Sequence, residues 1–393
     1  MPKPEIALII SSYQQARHLQ WVLASVAGQV GLEPGALEVV VTDDGSTDET
    51  SRMVEAFAHS VDFPVRFITH PHQGFGLARS RNDGVRASSA PYLLFLDGDC
   101  LIPPDHLACH LKHRKPGAVM AGYCCRLDRT TTERIDEQAI FRGDYLQWVP
   151  PSELRLLAKM DRKARFYNWI RHPRKPKMFG GNIGIWRADF ERVNGFDENF
   201  QAWGGEDDDL RLRLRRAGVR IHSILRWTRT YHLWHPPHQT TPQKIRHGAN
   251  VGYLGRAARL TRCANGLEKR RPEDLVVRFV GQFPQAKTAL CRMPPALRNA
   301  CRDGISGRQS AEVEVLVLPG RGRFSGRADC NLLVVAGGSA VAGSLARQAH
   351  LVVSGQGPAG HGFGFHQWEE VLERILHGDT RKDPIEQARE WAA

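Results

Sequence analysis

The chain has 393 residues, of which 41% are hydrophobic and 24% charged, with a formal net charge of +12. This composition excludes a disordered or collagen-like protein, and the length predicts two domains or one enlarged domain with an appendage. No apolar run reaches the roughly 18–20 residues of a transmembrane helix, and the N-terminus lacks the pattern of a signal peptide. The eight cysteines form no C-x-x-C pair, which predicts reduced thiols and a cytoplasmic location.

The first hundred residues alternate short apolar runs with segments of helical spacing. The runs predict strands over residues 6–10, 38–42, 65–69 and 92–96, and the segments predict helices over 18–26, 47–58 and 77–87. Such alternation predicts an α/β fold with a mainly parallel, doubly wound sheet and helices on both faces. Ligands bind beyond the carboxyl ends of such strands, and the polar clusters of this sequence follow the predicted strands.

The character of the sequence changes after about residue 255. Residues 256–302 contain eleven Lys and Arg against three Asp and Glu, together with four prolines. We interpret residues 255–310 as a basic helical connector. Three further apolar runs and a helical segment at 368–376 predict a small α/β appendage over 311–393, of unknown role. Residues 1–254 are then one catalytic domain.

Two carboxylates, Asp97 and Asp99, follow the fourth predicted strand with one glycine between them. Carboxylate oxygens suit hard divalent cations, and Mg²⁺ or Mn²⁺ sites commonly combine one or two carboxylates with substrate phosphates. A solvated surface turn is the alternative. The position at a strand end favours the metal site.

Asp43 and Asp44 follow the second predicted strand in D-D-G-S-T-D. A carboxylate in this position can accept hydrogen bonds from a base imide or a ribose hydroxyl. An ordinary turn followed by a helix cap is an equally good interpretation of the pair in isolation, and Asp48 is expected to serve only as a cap.

A second cluster lies at residues 203–209, W-G-G-E-D-D-D. Trp203 beside two glycines suits stacking on a sugar, although a core tryptophan followed by a turn explains it as well. Consecutive acids repel one another, which tends to raise the pKa of one of them into the range of a general base. The helix dipole also favours acids at a helix N-terminus, and Asp209 is expected to serve as a cap.

Two histidines, His232 and His235, follow another apolar strand and could add a nitrogen ligand to a metal site. Residues three apart point to different sides of an extended chain. We therefore expect His232, nearest to the strand end, to be the ligand and His235 to lie at the surface or on the acceptor side.

The order of these motifs resembles that of the family-2 glycosyltransferases of GT-A fold. The shared elements are S-S-Y at 11–13, D-D-G-S-T-D at 43–48, G-L-A-R-S-R-N-D-G at 76–84 and F-L-D-G-D at 95–99. The segments 180–186 and 194–210 resemble the carboxyl-terminal motif of animal β-1,4-galactosyltransferases and of chondroitin-type polymerases. Residues 101–178 and those after about 255 carry no detailed match.

The resemblance implies an inverting, metal-dependent glycosyltransferase whose donor is a nucleotide-diphospho-sugar, with UDP favoured. It implies Asp207 as the base, with Glu206 beside it. The implied nucleotide-binding residues are Ser11, Ser12, Tyr13, Asp43, Asp44, Arg81 and Asp97. The implied ligands of Mn²⁺ or Mg²⁺ are Asp97, Asp99 and His232. The implied acceptor- or sugar-binding residues are Gly181, Asn182, Trp203, Gly205 and Asp208.

The acceptor is expected to be a glycan or a lipid-linked saccharide. The positive charge fits an anionic acceptor or peripheral contact with an anionic membrane at its inner face, and it also fits plain solubility.

A nucleotidyltransferase acting on sugar phosphates is the main alternative, but it needs a glycine- and lysine-rich loop where residues 11–15 are S-S-Y-Q-Q. A nucleic-acid-binding protein would interleave basic residues with exposed aromatic residues. No such pattern is recognised, so no nucleic acid is expected as a partner. The complete set of acids (Asp44, Asp97, Asp99 and Asp207) disfavours a non-catalytic member of the fold.

Overall fold

In the computed structural model the chain divides into two compact units, Met1–Leu254 and Gly255–Ala393. The structure describes residues 3–172, 174–200, 203–236, 250, 253–254, 260–280, 311–318, 323–325, 328–336, 341, 343–355 and 365–377. Among these residues, no helix has both the length and the apolar character needed to cross a lipid bilayer.

Ten strands form two sheets in the first unit. They are β1 (Ile6–Ser12), β2 (Leu37–Asp43), β3 (Val65–Thr69), β4 (Tyr92–Asp97), β5 (Cys100–Leu101), β6 (Ala118–Ala121), β7 (Cys124–Arg126), β8 (Asn182–Trp186), β9 (Arg220–Ser223) and β10 (Thr230–His232). The main sheet has the order β3-β2-β1-β4-β8-β6-β9, and the small sheet has the order β5-β10-β7.

Nine α-helices accompany these sheets. They are α1 (Ala16–Ala27), α2 (Thr50–Ser60), α3 (Leu77–Arg86), α4 (His106–His113), α5 (Arg129–Glu133), α6 (Glu137–Arg142), α7 (Pro151–Trp169), α8 (Arg187–Arg192) and α9 (Glu206–Arg216), with a 3-10 turn at Asp144–Leu146. The three helices predicted in the first hundred residues are α1, α2 and α3, and their ends are shifted by at most three residues. Helix α1 buries Leu19, Val22, Leu23 and Val26, the spacing of one helical face.

The predicted parallel sheet is confirmed for β1 to β4, which pair in parallel register. Every residue of β1 and β2 is buried, as expected for parallel strands covered on both faces. Strand β8 pairs antiparallel to both β4 and β6. The sheet is therefore mixed beyond β4, and the residue at the start of β8, Asn182, pairs with Leu96 at the end of β4.

Helix α3 lies very close to strand β1. A Cβ atom added at Gly84 would lie 2.4 Å from Ile9 Cγ2, so only glycine permits this approach. A glycine inside a helix costs about 1 kcal/mol relative to alanine. In return the close packing brings Arg81, three residues earlier on the same face of α3, to the carboxyl end of the sheet, where its side chain is buried.

The second unit contains a four-stranded parallel sheet of order β11-β12-β13-β14, made of β11 (Val277–Phe279), β12 (Val313–Leu318), β13 (Cys330–Ala336) and β14 (Leu351–Gly355). Its described helices are α10 (Gly343–Gln348) and α11 (Phe365–Leu376), with a 3-10 turn at Pro272–Asp274. An apolar cluster that includes Leu275, Val313, Leu332 and Leu372 fills this unit. The strands and the helix predicted after residue 311 are therefore found.

The predicted helical connector differs from the structure over residues 260–280. These residues form the 3-10 turn and strand β11, which pairs with β12. Pro272 interrupts any helix there, and Val277 and Phe279 alternate with Arg278 as in a strand. Residues 281–310 of the predicted connector lie outside the described residues.

Candidate active site

Arg81 joins acidic side chains that lie more than a hundred positions apart in the sequence. Its Nη2 donates to Asp97 Oδ1 and its Nη1 donates to Asp207 Oδ1, both at 3.0 Å, while Nη1 lies 3.9 Å from Glu206 Oε1. The planar fork of a guanidinium can hold two carboxylates in fixed directions, which a lysine cannot do. The end of strand β4 and the start of helix α9 therefore share one site.

Two glycines allow this convergence. A Cβ atom at Gly180 would lie 2.3 Å from Arg81 Nη1 and 2.4 Å from Asp207 Oδ1, and a Cβ atom at Gly181 would lie 2.2 Å from Asp97 Oδ2. Neither glycine has a positive φ angle, so the need for glycine arises from space rather than from backbone conformation. These residues form the floor of the acid cluster.

Asp207 is the most constrained of the acids that retain access to solvent. Its Oδ2 accepts a hydrogen bond from the Gly180 backbone N–H at 2.7 Å, in addition to the Arg81 contact at Oδ1. The side chain remains 24% exposed. Each carboxylate oxygen has two lone pairs, so both can still accept a further proton donor.

Glu206 occupies a different environment on the same helical turn. Burial, with a smaller contribution from the neighbouring Asp207 charge, raises the pKa of Glu206 to about 8. Its Oε2 finds no hydrogen-bond partner among the described residues. The raised pKa predicted for the acid run is thus found at Glu206, and burial contributes more to it than repulsion.

Asp97 is held between opposing influences. Burial and the charges of Asp99 and Asp207 raise the pKa of Asp97, and the Arg81 cation opposes this rise. Asp97 therefore faces both the arginine and the carboxylates, in the centre of the site.

Asp99 lies beside both histidines that follow strand β10. Its Oδ2 is 3.4 Å from His232 Nε2 and 3.5 Å from His235 Nε2. Of the described residues, the one group of three or more side chains close enough to hold a metal ion together is Asp99, His232 and His235. Asp97, expected as a further ligand, does not belong to this group.

The expectation that His235 points away from His232 was wrong. Strand β10 ends at His232, and the chain beyond it has no regular structure, so the alternation of an extended strand no longer applies. The backbone N–H of Leu233 donates to Asp99 O at 2.8 Å, which turns the chain around Asp99 and brings His235 back toward it.

Asp44 and its neighbours lie at the ends of β1, β2 and β3. Asp44 Oδ1 accepts from His70 Nε2 at 3.0 Å, and Oδ2 accepts from the Gly76 backbone N–H at 3.0 Å. The ring of Tyr13 stacks on His72, with centroids 4.3 Å apart and planes inclined by 12°. This combination of an exposed ring and a carboxylate is suited to a base or a ribose.

Three other predicted nucleotide residues are buried and mainly support this loop. Asp43 accepts hydrogen bonds from the Ser46 backbone N–H at 2.7 Å and from Thr69 Oγ1 at 3.0 Å, which corresponds to the turn alternative. The carbonyl of Ser11 accepts from the Gly98 N–H at 2.8 Å. The carbonyl of Ser12 accepts from the Asp44 N–H at 3.1 Å, while Ser12 Oγ has no partner among the described residues.

The predicted acceptor-side residues surround the start of α9. Gly205 has a φ of 102°, a left-handed value that favours glycine, and it is the N-cap of α9. Asp208 Oδ1 accepts from Arg211 Nε at 3.0 Å. Trp203 is 36% exposed. Asp209 is fully buried and pairs with Arg213 at 2.6 Å, so it is not a cap as expected.

Asn182 lies at the start of β8 and is almost fully buried. Its Oδ1 accepts from His110 Nε2 at 3.1 Å, and its Nδ2 has no partner among the described residues. Sequence analysis did not identify His70, His72 or His110 as neighbours of the site. The position of His70 directly after β3 was the one available signal.

Two family models match the first unit. Residues 7–169 match glycosyl transferase family 2, and residues 161–238 match the N-terminal domain of galactosyltransferase. The resemblance to family-2 glycosyltransferases is thereby confirmed, and with it the mainly parallel α/β fold.

Two curated proteins are similar to the chain over its first unit. It is 31% identical over 271 residues to a validoxylamine A glucosyltransferase of Streptomyces hygroscopicus subsp. jinggangensis, covering 64% of this chain and 58% of that protein. It is 24% identical to a chondroitin synthase of Escherichia coli, covering 56% of this chain and 33% of that protein. The chain thus spans little more than half the length of the first of these relatives.

Among solved structures, S. aureus TarS 1-349 in complex with UDP-GlcNAc matches with a TM-score of 0.42 and 18% identity, covering 60% of each chain.

Proposed function

We propose that this chain, which belongs to glycosyl transferase family 2 over residues 7–169, transfers a sugar from a nucleotide-diphospho-sugar to a hydroxyl of a glycan or lipid-linked saccharide. The observation that carries the proposal is the pair of 3.0 Å contacts by which Arg81 holds Asp97 and Asp207 together. Sugar transfer needs an acid cluster of this kind, because one group must accept a proton while others orient a charged donor.

In this proposal the nucleoside lies at the ends of β1 to β3. The free face of Tyr13 stacks on the base, and Asp44 accepts a hydrogen bond from the base or the ribose. UDP is the favoured nucleotide. Asp97 then contacts the ribose or the sugar, between the nucleoside and the acceptor.

Asp207 is the proposed general base. It takes the proton of the acceptor hydroxyl as that oxygen attacks C1 of the sugar, and the C1 bond to the diphosphate breaks in the same displacement. One displacement inverts the anomeric centre and needs a single base. Gly180 N–H and Arg81 hold the two oxygens of Asp207 in position, at 2.7 and 3.0 Å.

Asp99, His232 and His235 are the proposed ligands of a divalent cation. One carboxylate oxygen and two imidazole nitrogens within 4.8 Å of one another are a suitable donor set. Two nitrogen ligands favour Mn²⁺ over Mg²⁺, which prefers oxygen. When bound, such a cation supplies Lewis-acid stabilisation of charge on the leaving diphosphate.

The test is release of nucleotide from a panel of UDP-, dTDP- and GDP-sugars, with and without Mn²⁺. Asp207→Asn should lower kcat at least about 100-fold, the typical worth of a general base, while nucleotide binding is retained. The matched control is Asp62→Asn, an exposed acid outside the site. EDTA should abolish turnover.

Two outcomes would contradict the proposal at different levels. Near-normal turnover of Asp207→Asn would show that Asp207 is not the base. If the wild-type protein released nucleotide from none of the donors, the proposed activity itself would be wrong.

A further inference from the structure

Helix α7 carries basic and aromatic side chains on its outward side. They recur at spacings of four and three residues, which aligns them along one side of the helix over about 21 Å. The members of this cationic stripe, all exposed, are Arg155, Lys159, Arg162, Phe166 and Trp169. Trp169 is 79% exposed and Phe166 is 52% exposed. The opposite side of α7 is buried through Leu157, Asp161 and Ala164.

The charge of the stripe is not compensated locally. Residues 155–177 contain nine Lys and Arg and a single acid, Asp161. Asp161 is buried, and its Oδ2 accepts from Arg165 Nε at 3.0 Å. In the described part of the chain no ion pair joins an acid to Arg155, Lys159 or Arg162. The stripe therefore presents a positive surface that suits an anionic partner.

The stripe continues into the candidate active site. The exposed residues that follow α7 are Arg171, Arg174, Lys177 and Phe179. Lys177 Nζ lies 3.6 Å from Asp208 Oδ2, and three residues later the Gly180 N–H donates to Asp207. A chain bound along the stripe would thus reach the proposed base.

Helix α9 holds this segment in place. Arg211 Nη1 donates to the Arg174 carbonyl at 2.8 Å, and Arg215 Nη1 donates to the Lys175 carbonyl at 2.9 Å. At the other end, Asn168 Nδ2 donates to the Ile221 carbonyl at 2.8 Å. Because α9 also carries Asp207, the stripe and the base have a fixed relation to each other.

The stripe bears on the expectation that basic and exposed aromatic residues are not interleaved in this chain. They are interleaved on α7, which sequence analysis did not recognise. A nucleic acid has little reason to approach Asp207 and Asp208, where the stripe ends, because its phosphates would be repelled.

A membrane surface fits less well than a soluble polymer. Helices that lie in a membrane interface separate an apolar face from a charged face. On α7 the aromatic and cationic side chains share one face, and the other face is packed within the protein. Aromatic rings stack on the apolar faces of sugars, and cations pair with their acidic substituents.

We propose that the stripe of α7, together with residues 170–179, is an extended acceptor subsite for an anionic glycan. The inference rests on the proposed function and adds to it the chemical class of the acceptor. Residues Phe166, Trp169 and Phe179 stack on sugar rings, and the cations between them bind carboxylate, sulfate or phosphate groups of the polymer.

The test is binding of fluorescent hexasaccharides, measured by anisotropy in the presence of UDP. The anionic probes are hexasaccharides of hyaluronan and of heparin, and the neutral probe is chitohexaose. Replacing Lys159, Arg162 and Lys163 together by Gln should weaken binding of an anionic probe about tenfold, the worth of three exposed charge contacts, and leave chitohexaose unaffected. The control is the triple replacement of Arg52, Arg192 and Arg220 by Gln, which removes the same charge from other exposed positions and should leave both probes unaffected.

The double variant Phe166→Ala with Trp169→Ala should weaken binding of charged and neutral probes alike, because stacking does not depend on charge. The proposal is overturned if neither anionic saccharide binds more tightly than chitohexaose. It is also overturned if the Lys159, Arg162 and Lys163 variant loses retention on phosphatidylglycerol vesicles or on poly(U) RNA and not on the saccharides.

Failure of the proposed function is distinguishable from failure of the subsite. Nucleotide release from the donor panel and its dependence on Asp207 report the activity and do not require the stripe. Hexasaccharide binding reports the stripe and does not require turnover.

Discussion

Gly180 provides a sharp test of the site, because its substitution moves the proposed base without removing any functional group. In Gly180→Ala the new Cβ would lie 2.3 and 2.4 Å from the Arg81 guanidinium nitrogens and 2.4 Å from Asp207 Oδ1, whereas ordinary contacts begin at 3.4 Å. Arg81 or Asp207 must therefore move by about 1 Å. A misplacement of that size can lower the rate about 100-fold, or about 2.7 kcal/mol of activation free energy.

The assay compares kcat for nucleotide release by wild type, Gly180→Ala and a matched control. Gly28→Ala makes the same chemical change at a place where the nearest atoms lie 3.8 Å from the new Cβ, so kcat should be unchanged. The loss in Gly180→Ala should fall mainly on kcat, because the nucleoside contacts around Asp44 lie at a different strand end. Thermal unfolding of both variants checks that each is folded.

The reasoning would be refuted by a folded Gly180→Ala variant whose kcat stays within about threefold of that of Gly28→Ala, less than 0.7 kcal/mol of activation free energy. In that case the position of Asp207 beside Arg81 would not control the rate, and the assignment of the base would lose its geometric support.

Two further predictions concern Glu206 and the histidines. The pKa of Glu206 is about 8 in the folded protein against an ordinary 4.5, so the folded state binds more protons than the unfolded state between these values. The free energy of unfolding should therefore fall as pH rises from 4.5 to 8, by at most about 5 kcal/mol from this group. Glu206→Gln should remove that contribution, and the difference in Tm between variant and wild type should grow with pH; a difference independent of pH would contradict the shift. His235→Ala and His232→Ala should each weaken Mn²⁺ binding at least about tenfold by titration calorimetry, whereas exposed His59→Ala should not; normal binding by His235→Ala would remove it from the site.

The sheet was predictable because its information is local. The apolar runs of β1, β2 and β4 are almost completely buried, and buried parallel strands need no other signal than such runs between helices. The antiparallel direction of β8 was not predictable in this way, because it depends on the course of the chain through residues 101–181.

The convergence of acids was predictable from the strand-end rule and the motif order, but its cause was not. Arg81 was expected near the base or the diphosphate and lies instead between Asp97 and Asp207. The need for glycine at 180 and 181 depends on side chains that approach from β4, α3 and α9. No periodicity or composition of the sequence reports such distances. The same holds for His235, whose position depends on a turn after β10.

The four acids at the start of α9 show most clearly why sequence order alone does not assign roles. In the sequence Glu206, Asp207, Asp208 and Asp209 are equivalent neighbours, but successive residues of a helix point about 100° apart. Glu206 is buried near Arg81, Asp208 faces Arg211 and Lys177, and Asp209 is buried against Arg213. Asp207 alone of the four is held by both Arg81 and Gly180 while remaining open to solvent. The phase of the helix, set by Gly205 at its start, therefore selects which carboxylate faces the acceptor. A shift by one residue would exchange a solvent-accessible base for a buried acid that holds its proton at neutral pH.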